Sequence, residues 1–203
     1  MFLKAPLGLD VDKIYKDVLG LKDLWIQRHL PGFYTLGPCA YLDLDSPAYY
    51  KGKEKTNPVL LETFPEMYQA VQDYLEGVIG EEVWLDPDVA HPSFHIFESN
   101  PCYLKQSGTW HQDRPNVTLG LGEVDPLTFT VAIKLPKSGG GMDYTLTDGS
   151  DEIYYGYEEG SIVVHSGFVY HRISKLKEYV EGEHRITLQG HIIRKNGKLI
   201  MYW

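Results

Sequence analysis

GTWHQDRP, residues 108–115, sets an imidazole, His111, and a carboxylate, Asp113, two positions apart. On a strand, side chains i and i+2 leave the same face, so this pair can aim at one point inside a barrel. An imidazole and a carboxylate together suit a divalent first-row metal. One further histidine would complete a facial set of two histidines and a carboxylate, which leaves coordination positions open. A lone HxD recurs by chance, so its meaning depends on the residues further along the chain.

Downstream, residues 158–191 read EEGSIVVHSGFVYHRISKLKEYVEGEHRITLQGH. Two histidines compete for the third position. His165 ends the apolar run Ser161-Ile162-Val163-Val164, and His171 precedes the apolar Ile173. Arg185 and Thr187 then share one strand parity. An arginine pointing into a barrel is costly to bury without an anion. The far carboxylate of a dicarboxylate would supply one, held by the guanidinium fork and a hydroxyl.

Working outward, the chain is β-rich from about residue 83. Strands are expected at 93–99, 128–135, 142–146, 153–157, 161–164, 185–193 and 198–203, with turns at Ser138-Gly139-Gly140-Gly141, Asp148-Gly149, Gly160 and Asn196-Gly197. The Asn-Gly pair is a strong two-residue hairpin signal. Before residue 83 the pattern predicts a helix at 10–19 capped by Asp10, a strand at 33–42 and an exposed loop at 46–58. A second helix runs from Pro65 to a stop at Gly80, with Met67, Val71, Tyr74, Leu75, Val78 and Ile79 as its apolar stripe. Many short strands after a helical start suggest a barrel or jelly roll with helices outside. One domain over 1–203 is expected, with 1–82 as support and 83–203 as the β core. Tyr34, Tyr41, Tyr49 and Tyr50 are candidates for a lid.

The chain has 203 residues, 43% hydrophobic and 23% charged, the balance of an ordinary globular protein. Its net charge of −9 disfavours nucleic acid as a partner and mildly favours a cationic or zwitterionic substrate. It has no apolar run long enough for a membrane span, and MFLKAPLGLD lacks the apolar core of a secretory signal. Two cysteines, Cys39 and Cys102, make neither a disulfide framework nor a metal cluster. A cytoplasmic protein is expected. Nothing in the sequence bears on oligomeric state.

The ordered set of HxD, a strand into a Gly-rich turn, Gly-Ser-apolar-apolar, His and Arg-x-Thr resembles the Fe(II)/2-oxoglutarate dioxygenase superfamily. The segment LTFTVAIKLPKSGGGMDY resembles the stretch after that family's HxD motif. The likeness covers residues 93–191; the N-terminal third matches no named pattern. It implies a mainly β, cupin-like double-stranded β-helix (jelly roll) with supporting N-terminal helices. It also implies His111, Asp113 and His171 as Fe(II) ligands. His171 fits better than His165, because the family's second histidine sits closer to its arginine. Arg185, with Thr187, matches the residue that binds the 2-oxoglutarate C5 carboxylate. The family's additional polar contact to 2-oxoglutarate is not evident here, and His95 and Tyr103 are the substitutes. Trp110, Arg114 and His165 are candidates for substrate contact.

The implied activity is a hydroxylase. It consumes O2 and 2-oxoglutarate, releases succinate and CO2, and oxidises a C–H bond of a small molecule such as an amino acid or a natural-product intermediate. Related halogenases lack the carboxylate ligand, so Asp113 favours hydroxylation, desaturation or cyclisation. Two other readings stand beside this one. A cupin-type isomerase or ring-cleaving dioxygenase would recruit His165 as a ligand and would not need Arg185. A non-catalytic β-sandwich would bind a ligand and no stoichiometric metal. His91, His184 and His191 read as structural, and His184 should face outward from its strand.

Overall fold

A computed structural model describes residues 2–43, 47–120, 126–146 and 151–203. β1 (Phe2–Pro6) leads into α1 (Val11–Gly20). The Asp10 carboxylate caps α1 by accepting from the Lys13 amide at 3.0 Å, and Ile14 and Val18, one turn apart, are its buried side. β2 (Trp25–Gln27) and β3 (Phe33–Leu36) pair antiparallel, and the single turn α2 (Ala40–Asp43) follows. The strand expected over 33–42 therefore stops early. Gly37 takes a φ of +81° and Pro38 follows it, so the chain turns away.

The expected loop over 46–58 is instead most of α3 (Ala48–Thr63), with Ser46 outside the described residues. This helix contains Pro58 and buries only Tyr49, Thr56, Asn57 and Leu60. Distant segments hold it. The Asn57 amide donates to the Val89 carbonyl and accepts from the His91 N–H, both at 3.0 Å. The Tyr49 hydroxyl donates to the Trp203 carbonyl and accepts from the Ala90 N–H. α4 (Pro65–Ile79) follows the expected pattern except that Val78 of the expected stripe is exposed. Pro65 opens it, Met67, Tyr68, Val71 and Leu75 are buried, and Gly80 closes it at φ +81°.

The remaining elements are β4 (Val83–Leu85), β5 (Ser93–Glu98), α5 (Pro115–Thr118), β6 (Leu127–Lys134), β7 (Met142–Thr145), β8 (Ile153–Tyr155), β9 (Ser161–Ser166), β10 (Tyr170–Ile173), β11 (His184–Lys195) and β12 (Lys198–Tyr202). The β11–β12 hairpin turns through Asn196 and Gly197, at φ +51° and +80°. The Asp148-Gly149 turn lies outside the described residues.

Nine strands form one sheet, in the order β1-β9-β6-β11-β5-β3-β2, with β12 pairing β11 and β4. Its ladders are antiparallel except β12–β4. β10-β7-β8 form a second, antiparallel sheet. The chain is thus mainly β with a few helices, and the N-terminal strands β1, β2 and β3 belong to the large sheet. Among the described residues no helix is long and apolar enough to cross a membrane.

The large sheet has two chemically different faces because side chains alternate. Phe94, Ile96, Phe129, Val131, Ile162, Val164, Ile186 and Leu188 pack with Ile14, Val18, Leu60, Met67 and Val71 of the helices in one core. The opposite parity carries His95 and Phe97 on β5, Thr130 on β6, His165 on β9, and Arg185, Gln189 and His191 on β11. All of these line a cavity. Met142, His171 and Ile173 of the small sheet line the same cavity.

Gly190 marks how tightly the core face is packed. A Cβ there would lie 2.6 Å from Phe129 Cζ and 2.8 Å from Pro92 Cβ. Gly190→Ala is expected to cost roughly 1–3 kcal/mol through overpacking, read as a lowered urea midpoint with an unchanged slope.

Candidate metal centre and its cavity

His111 and Asp113 do not lie on a regular strand, as the HxD spacing suggested. His111 forms an isolated bridge to His171 of β10, with backbone hydrogen bonds of 3.0 and 2.9 Å in the two directions. The Asp113 N–H donates to the Gly167 carbonyl at 2.8 Å. Two backbone anchors, rather than strand alternation, bring the side chains together.

The imidazole tautomers follow from their partners. His111 Nδ1 lies 2.7 Å from the Thr109 carbonyl, and His171 Nδ1 lies 2.8 Å from the Val169 carbonyl. A carbonyl only accepts, so each Nδ1 carries the proton and each Nε2 keeps its lone pair. Those Nε2 atoms point to Asp113: His111 Nε2 is 3.6 Å from Oδ1, and His171 Nε2 is 3.5 Å from Oδ2. One donor atom from each of the three residues falls within a 4.8 Å group. Bonds of about 2.1 Å allow two donors on one ion to stand up to about 4.2 Å apart, so both separations suit a shared cation.

Burial works to raise the Asp113 pKa. The imidazoles of His171, His191 and His111, when protonated, outweigh burial and bring it to about 2. His171 is pushed down by burial and stays neutral, as a metal ligand must. His165 is buried, its ring centroid 4.9 Å from that of His171, and it is pushed down by burial to about 4. Its donors lie outside the compact three-residue group.

Arg185 is buried at 6% exposure on the cavity face of β11. Its Nε donates to the Gly140 carbonyl at 2.6 Å, and one terminal nitrogen lies 3.3 Å from Thr187 Oγ1. The Phe97 and Tyr157 rings lie 5.6 and 5.7 Å from the guanidinium carbon. Among the described residues no carboxylate forms an ion pair with it. Burial lowers its pKa, yet a guanidinium stays charged at neutral pH. A buried cation beside a cavity, with no ion-paired carboxylate among the described residues, could hold an anionic ligand.

The cavity joins these two centres. Its volume is about 970 Å³, the upper end of ligand cavities (roughly 300–1,000 Å³), enough for a co-substrate and a second molecule.

The other expected contacts divide. His95 lines the cavity, and its Nε2 lies 2.5 Å from the Tyr41 hydroxyl. Burial pushes His95 down to about 3. The Tyr103 hydroxyl donates to the Pro31 carbonyl at 2.7 Å, which leaves its ring as the cavity surface. Arg114 lines the cavity with its guanidinium 4.7 Å from the Phe168 centroid. Trp110 is not in the lining; it stacks on Tyr170 and carries Arg172 over its ring. His184 faces away from Arg185 as expected, its Nδ1 3.0 Å from the hydroxyl of Tyr15, which packs with the helix-side core, while the residue also borders the cavity. Of the four tyrosines considered for a lid, Tyr41 alone reaches the cavity. Arg28 clamps Asp43 through both terminal nitrogens, at 2.8 and 2.7 Å, and so holds the turn that carries Tyr41. Sequence reasoning passed over Tyr157 and Thr130. Both line the cavity, and the Tyr157 hydroxyl is held by the Thr130 side chain.

Several solved structures superpose on the chain. An oxidoreductase of the 2OG-Fe(II) oxygenase family from Burkholderia pseudomallei matches with a TM-score of 0.57 at 10% identity, over 97% of this chain and 86% of that one. An N-substituted L-amino acid dioxygenase from Burkholderia ambifaria matches at 0.56 and 11% identity, over 76% of this chain and 68% of that one. The chain has the fold of the 2-oxoglutarate and Fe(II) oxygenases. A prolyl hydroxylase from Trichoplax adhaerens, in complex with a hypoxia inducible factor peptide, shares this oxygenase fold at 0.54 and 11% identity, over 93% and 82% of the two chains. No protein-family model and no curated protein matches the sequence. The oxygenase fold is therefore legible here in three dimensions, where identity is low.

Proposed function

We propose that this protein is an Fe(II)- and 2-oxoglutarate-dependent oxygenase that hydroxylates a C–H bond of a small, amino-acid-like molecule. The observation that carries the reading is the pairing of two centres in one cavity. Three convergent donors, His111, Asp113 and His171, share the cavity with a buried Arg185 that has no carboxylate partner among the described residues. The two sheets would be the layers of a double-stranded β-helix in a single domain. Residues 1–82 would supply helices behind the core and the Tyr41 wall of the cavity.

Each residue then has a role. His111, Asp113 and His171 would hold the iron, and the Thr109 and Val169 carbonyls keep the imidazoles in the tautomer that offers Nε2. Arg185 would bind the distal carboxylate of 2-oxoglutarate through its terminal nitrogens, since Nε is committed to Gly140. Thr187 sets the guanidinium plane. Phe97 and Tyr157 exclude water around this pair and strengthen it. When bound, iron and 2-oxoglutarate supply the oxidation, with succinate and CO2 released and O2 consumed. Tyr41, His95 and Arg114 face the rest of the cavity and would contact substrate. The amino-acid class follows the Burkholderia ambifaria neighbour, which acts on N-substituted amino acids.

The test is an anaerobic titration of iron-loaded protein with 2-oxoglutarate, watched for the visible charge-transfer band of the chelate. A saturable band is expected. Arg185→Met should weaken 2-oxoglutarate binding by about a hundredfold or more, the scale of a lost charge-assisted pair of about 3 kcal/mol. A protein that binds Fe(II) but gives no band would remove 2-oxoglutarate and favour a cupin-type enzyme.

A further inference from the structure

The cavity face of the large sheet carries a row of polar side chains that the proposed chemistry does not use. In the register of the ladders, His165 of β9 stands opposite Thr128 of β6, and Thr128 stands opposite His191 of β11. Thr128 is fully buried and His191 is 1% exposed. Thr128 Oγ1 lies 2.9 Å from Asp113 Oδ2 and 3.1 Å from His191 Nδ1.

Donor and acceptor roles in this row are forced. A hydroxyl has one proton, and an ionised carboxylate can only accept. The Thr128 O–H therefore donates to Asp113 Oδ2. Its oxygen must then accept from His191, so the proton of neutral His191 sits on Nδ1. The Tyr202 ring, 5.6 Å away and opposite His191 in register, packs against the imidazole. The result is a directed chain, His191 N–H to Thr128 O–H to Asp113, inside a region where an unmatched polar group would be costly.

We infer that Thr128 and His191 are positioning residues that fix the Asp113 carboxylate in the pose that meets the metal. This rests on the metal-site reading of His111, Asp113 and His171. The hydroxyl engages Oδ2 and sets the plane of the carboxylate, with Oδ1 on the His111 side. His191 orients the hydroxyl. Without the row, Asp113 would have to be ordered when the ion binds, and that ordering would come out of the binding energy.

The experiment uses chelator-stripped full-length protein titrated with Co(II), together with ¹⁵N NMR of the histidine rings in the apo protein. Thr128→Val keeps the shape of the side chain and removes the donor. It should weaken Co(II) binding about 10- to 100-fold, the usual range for partners of metal ligands. His191→Leu should do the same. Thr128→Ser and His191→Asn, which keep the hydroxyl and a donor near the Nδ1 position, should restore most of the affinity. In wild-type apo protein His191 should show the Nδ1-protonated pattern, and Thr128→Val should abolish that preference. Equal Co(II) affinity in wild type and Thr128→Val would overturn the inference. So would a Thr128→Ser protein as weak as Thr128→Val, or an Nε2-protonated His191 in wild type. Wild type that binds no Co(II) would instead sink the metal-site reading itself, and the inference with it.

Discussion

Asp113→Ala is expected to reduce succinate release from 2-oxoglutarate, in iron-loaded protein under air, by roughly a thousandfold or more. The carboxylate is the single anionic donor of the three, and its two oxygens face the two imidazoles at 3.6 and 3.5 Å. Removing it leaves two neutral ligands and takes away the charge that offsets a divalent cation. The folded state should survive. Its lowered pKa marks a carboxylate that the folded state favours, so the alanine variant should lose part of that stability and leave the Thr128 hydroxyl without an acceptor while remaining folded. Thermal unfolding of the apo variant checks this separately from turnover. A variant that folds and still turns over at the wild-type rate would eliminate Asp113 as a ligand.

Acid should unfold the apo protein well above the carboxylate range. Burial pushes His95 down to about 3, and His165 and His91 to about 4. In the unfolded chain each imidazole titrates near 6.5. Between that value and the folded pKa values, the unfolded state binds more protons. Stability therefore rises with pH through this window and falls as pH is lowered. Asp113, held at about 2, acts in the same direction as the histidines but at lower pH. It favours the folded state above its unfolded pKa, and that contribution is lost only as pH falls toward 2. The loss by about pH 5 should be on the order of 5 kcal/mol, against a total of about 5–15 kcal/mol for a typical domain. Urea midpoints measured from neutral pH down to about pH 4.5 would show it, and a flat profile would mean that these imidazoles reach water or a partner.

Where local pattern and tertiary packing agree, the sequence was readable. β11 alternates Arg185, Gln189 and His191 with Ile186 and Leu188, and the two sets do go to the cavity and the core, with Thr187 beneath the Arg185 guanidinium. α4 has its proline, its stripe and its glycine. The elements that were missed are held from far away. α3 has a weak apolar face and an internal proline, and its stability comes from Asn57 and Tyr49 gripping the chain near Val89 and Trp203. β10 is four residues long and takes its place from its ladder with β7 and, on its other edge, the bridge between His111 and His171. The HxD spacing pointed to a metal pair, but backbone bonds to His171 and Gly167, not strand parity, make the two side chains converge. Tyr41 could not be placed from spacing, because the Arg28–Asp43 clamp positions its turn. Thr128 and His191 have readable parity; what links them to Asp113 is visible only across strands.

β1 closes one edge of the large sheet by pairing with β9, and Phe2 stands opposite His165. These partners lie most of the described chain apart, so theirs is among the longest loops the fold must close. High contact order of this kind slows folding. During synthesis β1 emerges before β9 and cannot pair until β9 has followed it. Until then the outer edge of β9 presents free N–H and C=O groups, the feature by which sheets recruit strands from other molecules. β1 is thus set in place late, and it then replaces β9 as the strand at that edge.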